Sequence, residues 1–253
     1  MIIESGRLGG LVLCATLLGT VPIGAQTLVE RIEGAPDGKV RMSFAARPGV
    51  CGIGETFTTH RHDDEDWEWE CDPAPVRVVV TKEYGDVTRV QTFVGGRWRE
   101  GSTALELGTV PAGEAAEYFV TLAEHSSGRL SRDAIRPATM ADSAMVWPAL
   151  LRIARDESRG RDTRRAAARW VGIAAGELMV EGAGGTAVDD PEREAREQAV
   201  FALSRLPRDQ AVPELLEVAR THRDPQVRKR ALFWLGETGD HRALDLFEEL
   251  LRR

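Results

Sequence analysis

The sequence predicts an α+β protein, with a small β-rich N-terminal domain followed by a short right-handed α-α solenoid. In the first half, apolar and β-branched residues alternate as they do in half-buried strands. In the second half, residues recur with a period of 32, which indicates stacked helix pairs. The predicted divisions are a signal peptide at 1–25, the β-rich domain at 26–110, a helix and linker at 111–137, and helical repeats at 138–253.

Residues 1–25 have the pattern of a secretory signal peptide. Arg7 precedes an apolar run at 11–18, and the small residues Gly24 and Ala25 follow. Cleavage is expected near Ala25–Gln26, where polar sequence begins. The run is too short for a spanning helix, and the alternative is an uncleaved anchor. We therefore predict a secreted or periplasmic protein.

Two cysteines remain after cleavage, Cys51 and Cys71. In an exported protein, such a pair is expected to form a disulfide. It would close a loop of about 20 residues and stabilise the fold by about 3 kcal/mol. His60 and His62 lie within this loop, and the alternative is a zinc site, because imidazole and thiolate are zinc ligands. The closely spaced cysteine pairs of structural zinc sites are absent, so we favour the disulfide and predict no metal.

The segment Asp63–Glu70 interleaves six carboxylates with Trp67 and Trp69. Paired carboxylates beside aromatic rings are found in glycoside hydrolases, so a hydrolase or metal-binding protein that uses the 51–71 loop is the alternative function. Strand alternation explains the same pattern more simply. The sequence contains no nucleophile elbow, phosphate-binding loop or zinc-protease motif. We predict no enzymatic activity and no cofactor.

Several strands and one helix are expected in the first half. Val40, Met42 and Phe44 alternate, and β-branched runs at 76–81 and 87–94 flank a turn, which predicts a hairpin. A short strand is expected at 105–110. Pro111 suits the first turn of a helix that reaches about residue 124. Residues 126–137 carry charges, glycine and serines, and are predicted to link the two domains.

The helical repeat is carried by positions spaced 32 apart. These are Ala167, Ala199 and Ala231; Val171, Leu203 and Leu235; Gly172, Ser204 and Gly236; and Arg164, Arg196 and Arg228. A separate short helix is expected near 174–180, followed by a loop. The amphipathic helix at 240–251 is predicted to cap the end of the stack.

The segment Asp224–Gly236 resembles the second helix of a HEAT-like repeat of the PBS-lyase type. It matches D-P-x-V-R-x-x-A-x-x-x-L-G at every fixed position. Looser copies surround Arg196 and Arg164, and the resemblance covers about residues 143–253. It implies an α-solenoid of a family that includes many binding scaffolds and some bilin-lyase subunits. Nothing outside the repeats supports a lyase.

Helical periodicity separates a core face from a candidate binding face. Val227, Ala231, Trp234 and Leu235 share one face of their helix and are predicted to be buried. Phe201 and Phe233 stand about 150° from the core faces of their helices.

Arg169 occupies the place equivalent to these phenylalanines in the earlier repeat. With Lys229, the three residues form the candidate binding surface. The alternative is that the two phenylalanines pack between neighbouring repeats. For the arginine column of Arg164, Arg196 and Arg228, we favour bonds between repeats over a binding role.

The net charge of −7 is unfavourable for a nucleic-acid partner, because the phosphate backbone requires a cationic surface. A protein partner is therefore expected. The predicted function is an exported, non-enzymatic protein–protein interaction scaffold of the cell envelope.

Overall fold

The computed structural model describes residues 26–54, 56–58, 74–181 and 191–253. A β-rich part is followed by a series of helices, which confirms the predicted α+β fold class. The strands are β1 Gly38–Phe44, β2 Cys51–Ile53, β3 Thr56–Thr58, β4 Val76–Glu83, β5 Asp86–Val94 and β6 Leu105–Thr109. The helices are α1 Leu28–Glu33, α2 Ala112–His125, α3 Gly128–Met140, α4 Trp147–Arg155, α5 Arg161–Glu181, α6 Pro191–Ser204, α7 Arg208–Thr221, α8 Pro225–Thr238 and α9 His241–Leu251.

The main sheet has four strands in the order β5-β4-β1-β6. β1 runs antiparallel to β4 and parallel to β6. As predicted, β4 and β5 form a hairpin, and Tyr84 and Gly85 form its turn. Both residues have positive φ, 58° and 86°, as a type I′ turn requires. β2 and β3 form a separate two-stranded ribbon.

Helices α1, α2 and α3 contribute to one core with the sheet. Side chains of β1 and β4 alternate between this core and the opposite face, as expected for strands buried on one side. Burial, followed by the nearby charge of Glu33, raises the pKa of Tyr118 on α2 to about 12. The fully buried side chains of this core include Leu28, Val40, Met42, Phe44, Val76, Val78, Val80, Val94 and Phe119.

A buried lysine holds helix α1 against the hairpin. Lys82 is only 3% exposed, and its Nζ donates hydrogen bonds to the carbonyl oxygens of Ile32 at 2.8 Å, Glu33 at 2.7 Å and Ala35 at 2.8 Å. These oxygens lie at the C-terminal end of α1, where a cation complements the helix dipole. The three donors of the ammonium group are therefore all used within the protein.

The prediction of a linker at 126–137 is wrong, because these residues form most of α3. Gly128 has a φ of 59° where the helix begins. Ser131 does not mark a loop, since its Oγ donates to the carbonyl of Ala123 on α2 at 2.7 Å. Ile135 belongs to the helical core, whereas Met140 belongs to the sheet core. The packed pair α2 and α3 thus joins the two parts into one body.

Two arginines tie the ends of α2 and α3 to the rest of the protein. The Nη1 of Arg159 donates to the carbonyl of Ala123 at 3.0 Å, near the end of α2. The Nε of Arg47 donates to the carbonyl of Thr139 at 2.9 Å, near the end of α3. Arg47 also pairs with Glu177 of α5 at 2.8 Å. This last contact connects the β-rich part directly to the helical part.

Helix α5 continues without a break for 21 residues, so the separate helix expected at 174–180 is not present as such. Gly172 lies inside α5 at a close approach to other helices. A Cβ added there would lie 2.8 Å from the carbonyl oxygen of Leu232 and 3.0 Å from Cζ of Phe247. The glycine therefore allows helix contact rather than ending the helix.

Helices α5 and α8 cross closely and run in opposite directions. A Cβ at Gly236 of α8 would lie 2.9 Å from Cα of Arg169 and 3.1 Å from the carbonyl oxygen of Ala168. Proceeding along α5, Gly172 faces Leu232 and Gly176 faces Lys229. The residue numbers of the contacts on α8 therefore decrease as those on α5 increase, so the two helices are antiparallel.

The helices do not stack in chain order. Helix α8 packs against α5 as well as against α6 and α7, and α9 packs against α4, α5, α7 and α8. The prediction that α9 caps the end of the stack is therefore wrong. Leu246 and Phe247 are both buried because α9 has neighbours on several sides. Arg155 of α4 reinforces this placement, with ion pairs to Asp245 at 2.7 Å and Glu248 at 2.5 Å.

One predicted core residue, Trp234, and one repeat position, Ala199, are less buried than the pattern suggests. Trp234 is only half-buried, because α5 lies on the side of α8 that carries Leu232. Ala199 on α6 is exposed, and the adjacent Val200 is buried instead. The buried residues of α8 are Val227, Ala231, Leu232, Leu235 and Gly236.

Candidate functional site

A cluster of three aromatic rings lies where α6 meets α8. The ring centroids of Phe201 and Trp234 are 5.4 Å apart, with the planes at 49°. Phe233 contacts the same Trp234 edge-on, at 5.1 Å and 79°. These separations are those of favourable aromatic pairs. Phe201, Phe233 and Trp234 are called the aromatic cluster below.

The aromatic cluster both packs between helices and reaches the surface. Phe201 is 42% exposed, although one side of its ring contacts Trp234. The Nε1 of Trp234 is buried and has no hydrogen-bond partner in the described part of the chain. A buried N–H without an acceptor costs about 1–3 kcal/mol. The cluster therefore combines exposed apolar surface with an unsatisfied donor.

The other predicted binding residues lie around the same helix. Lys229, Phe233 and Glu237 follow one another at four-residue spacing along α8 and so share one side of it. Arg169 of α5 pairs with Glu237 at 3.2 Å. The aliphatic stem of Lys229 lies over Gly176 of α5. The structure thus places Arg169, Lys229 and the phenylalanines on neighbouring parts of α5, α6 and α8.

The start of α8 is fixed by its loop. The Asp224 carboxylate accepts a hydrogen bond from the backbone N–H of Gln226 at 2.9 Å, as an N-cap residue does. The Nη1 of Arg228 donates to the carbonyl of His222 at 2.6 Å. Arg228 is one of the three arginines that recur every 32 residues, and here it donates to the backbone of the loop before α8. This contact agrees with a structural role. The Nε of Arg164 is also buried, without a hydrogen-bond partner among the described residues.

Most residues of the 51–71 loop lie outside the described residues. Cys51 is buried at the start of β2, whereas Cys71, His60, His62 and Asp63–Glu70 are not described. The disulfide therefore stays a prediction, as does the signal peptide at 1–25. Within the described ranges, no group of three or more His, Cys, Asp or Glu side chains is arranged to hold a metal ion.

In the described part of the chain, no helix is both long enough and apolar enough to cross a bilayer.

Comparison with known protein families gives one assignment. The sequence model of HEAT repeats matches residues 186–253, which include α6 to α9 and all three rings of the aromatic cluster. These C-terminal helices are therefore similar to HEAT repeats. No curated protein and no solved structure matches the chain. The similarity is confined to this segment, here called the HEAT-like segment. HEAT repeats commonly mediate protein interactions.

A second group of aromatic and cationic side chains was missed by the sequence analysis. The guanidinium carbons of Arg41 and Arg77 lie 5.3 Å and 5.5 Å from the ring centroid of Trp98. Phe93 contacts Trp98 edge-on at 6.3 Å. Arg41 and Arg77 each stand directly beside core residues on β1 and β4. Strand alternation therefore puts both arginines on the opposite face, which was a usable signal in the sequence.

Proposed function

We propose that this protein is an exported, non-enzymatic scaffold of the cell envelope that binds a protein partner through the aromatic cluster. The observation that carries this proposal is the exposure of Phe201 where its ring contacts Trp234, within the HEAT-like segment. Aromatic residues dominate the energetics of protein interfaces.

The export part of the proposal is supported by sequence. Residues 1–25 have the order of a signal peptide, with Arg7 before an apolar run and small residues at its end. Cys51 and Cys71 are a pair suited to an oxidising compartment. N-terminal sequencing of the protein recovered from the cell envelope or the medium should begin at or near Gln26. Recovery of the chain with Met1 in the cytoplasm would contradict export.

The binding part is tested by changing Phe201 to alanine. Its ring is partly exposed, so folding should change little, whereas capture of an envelope partner should weaken by about 2 kcal/mol, or about 30-fold in Kd. The matched control is Met145→Ala, because Met145 is 80% exposed and lies before α4, outside the aromatic cluster.

Capture is first made from an envelope extract and then repeated with the purified partner, so that the two variants are compared by titration. Equal weakening in both variants, or unchanged binding in Phe201→Ala, would remove the aromatic cluster as the binding site. A lower melting temperature with unchanged binding would show that Phe201 acts only in packing between helices.

A further inference from the structure

A separate surface lies on the face of the main sheet opposite the core shared with α1, α2 and α3. Along β1, β4 and β5, the residues that alternate with the core positions meet in cross-strand rows. One row contains Lys39, Thr81 and Arg89. The next row contains Arg41 and Val79. This arrangement gathers four cations from distant parts of the sequence on one face, namely Lys39, Arg41, Arg77 and Arg89.

This face, here called the basic sheet face, consists of those four cations and Trp98. Lys39 and Arg89 are exposed, and Arg77 and Trp98 are half-buried. Arg41 is largely covered, with its side chain 14% exposed, and it pairs with Glu106 of β6 at 2.7 Å. The Nε of Arg77 donates to the carbonyl of Gly95 at 3.1 Å, which holds its guanidinium beside Trp98.

The basic sheet face has an excess of positive charge on a chain whose net charge is −7. Among the described residues, Lys39, Arg77 and Arg89 form no ion pair. Glu83 and Asp86 lie opposite each other in the strand register at the hairpin tip. They place negative charge at this end of the face. Cations without an ion-pair partner attract an acidic partner, whereas the rest of this acidic protein repels it.

The spacing of the cations fits an extended polypeptide. Lys39 and Arg41 are two residues apart on one strand, which places their Cα atoms about 7 Å apart. Alternate side chains of an extended peptide have the same spacing, so carboxylates at every second position match it. The half-buried ring of Trp98 offers apolar surface, which contributes to binding beyond charge. We propose that the basic sheet face binds an extended acidic segment of a partner protein.

The test uses the full-length mature protein and a fluorescein-labelled peptide of ten residues in which Glu and Thr alternate. Binding is followed by fluorescence anisotropy at low ionic strength. The double variant Lys39→Gln/Arg89→Gln should raise the Kd by about 5-fold, because two exposed ion pairs together contribute about 1 kcal/mol. Binding should also weaken with added salt.

The matched control is Arg205→Gln/Arg223→Gln, which removes the same charge from two exposed arginines near α6 and α8. It should bind the peptide as the unchanged protein does. Equal weakening in the two double variants would show non-specific attraction and overturn the proposal. A peptide with Gln in place of Glu should not bind, and equal binding of that peptide would also overturn it.

A different source of negative charge is tested in parallel. Vesicles contain phosphatidylcholine and phosphatidylserine in a 3:1 ratio, because anionic headgroups attract basic surfaces. Their total negative charge is matched to that of the peptide. Vesicle binding stronger than peptide binding, lost in Lys39→Gln/Arg89→Gln and kept in the control, would assign the face to a membrane and refute a polypeptide ligand. Phe201 lies on α6 and is not part of the sheet, so Phe201→Ala should leave peptide binding unchanged.

Discussion

A close contact between helices α5 and α8 gives a test whose sign depends on the fold. At Gly236, the added methyl group of alanine would lie 2.9 Å from Cα of Arg169 and 3.1 Å from the carbonyl oxygen of Ala168. Both atoms belong to the backbone of α5 and do not move aside as the end of a side chain does. Gly236→Ala should therefore push α5 and α8 apart and destabilise the protein.

Two opposing terms set the magnitude. Alanine is favoured over glycine inside a helix by about 1 kcal/mol, whereas overpacking in a well-packed core costs about 1–3 kcal/mol. The clash involves backbone on both sides, so the upper part of that range applies. We expect a net loss of about 1–2 kcal/mol in the free energy of unfolding. For a chain of this size, the melting temperature should fall by about 2–8 °C.

Urea unfolding followed by circular dichroism measures the change, with two glycines as matched controls. At Gly113 in α2, an added Cβ meets nothing within 4 Å, so Gly113→Ala should be neutral or stabilising. At Gly176, it meets the flexible side chain of Lys229 at 3.0 Å, so Gly176→Ala should cost less than Gly236→Ala. An increase in stability for Gly236→Ala would refute the close antiparallel contact of α5 and α8.

Three further predictions concern buried charge, pH and the cysteines. Lys82→Met should cost about 3 kcal/mol of unfolding free energy, measured in urea, because it leaves buried carbonyls at the end of α1 unsatisfied. Burial alone would raise the pKa of Asp240, but hydrogen bonds from Arg242 and the charges nearby lower it overall. Its carboxylate therefore stabilises the protein above the unfolded pKa of about 3.9 and loses this effect as pH falls, so the cost of Asp240→Asn at pH 7 should vanish near pH 2 in thermal melts. Mass spectrometry of unreduced protein should show Cys51 linked to Cys71, and two alkylated thiols would contradict this.

The strands of the main sheet could be predicted from sequence because one face of each is buried. Val40, Met42 and Phe44 are all fully buried on β1, as their alternation indicates. The hairpin turn at Tyr84-Gly85 follows from two β-branched runs that flank turn residues. Helix α1 was missed because six residues are too few to show helical periodicity, although Thr27 and Glu30 form a capping box.

The order of the helices could not be predicted from the repeat. A period of 32 residues identifies equivalent helices, but it assumes that each pair packs against its neighbours in sequence. Here, Gly172 and Gly236 instead allow α5 to contact α8 directly. Glycine in a repeat permits a turn or a close approach, and periodicity alone does not distinguish the two.

The candidate site was predicted in part, for a related reason. Phe201 and Phe233 were singled out because they lie away from the core faces, and the structure does bring them together around one ring. That ring is Trp234, which the periodicity assigned to the core. Which residues at the side of a helix are half-buried depends on which neighbouring helix lies there. These residues therefore depend on the order in which the helices pack. Only the structure supplies that order.

The contacts of α2 and α3 also decide how the two proposed surfaces behave together. Ala123 and Ile135 of this helix pair pack in the helical core, whereas Phe119 and Met140 pack in the sheet core. Loss of the helical core therefore removes part of the support for helices that cover the sheet. The aromatic cluster and the basic sheet face thus belong to one cooperative body, and a substitution that unfolds the helices should also destabilise the sheet. Binding tests at either surface consequently require variants such as Phe201→Ala, whose changes lie outside both cores.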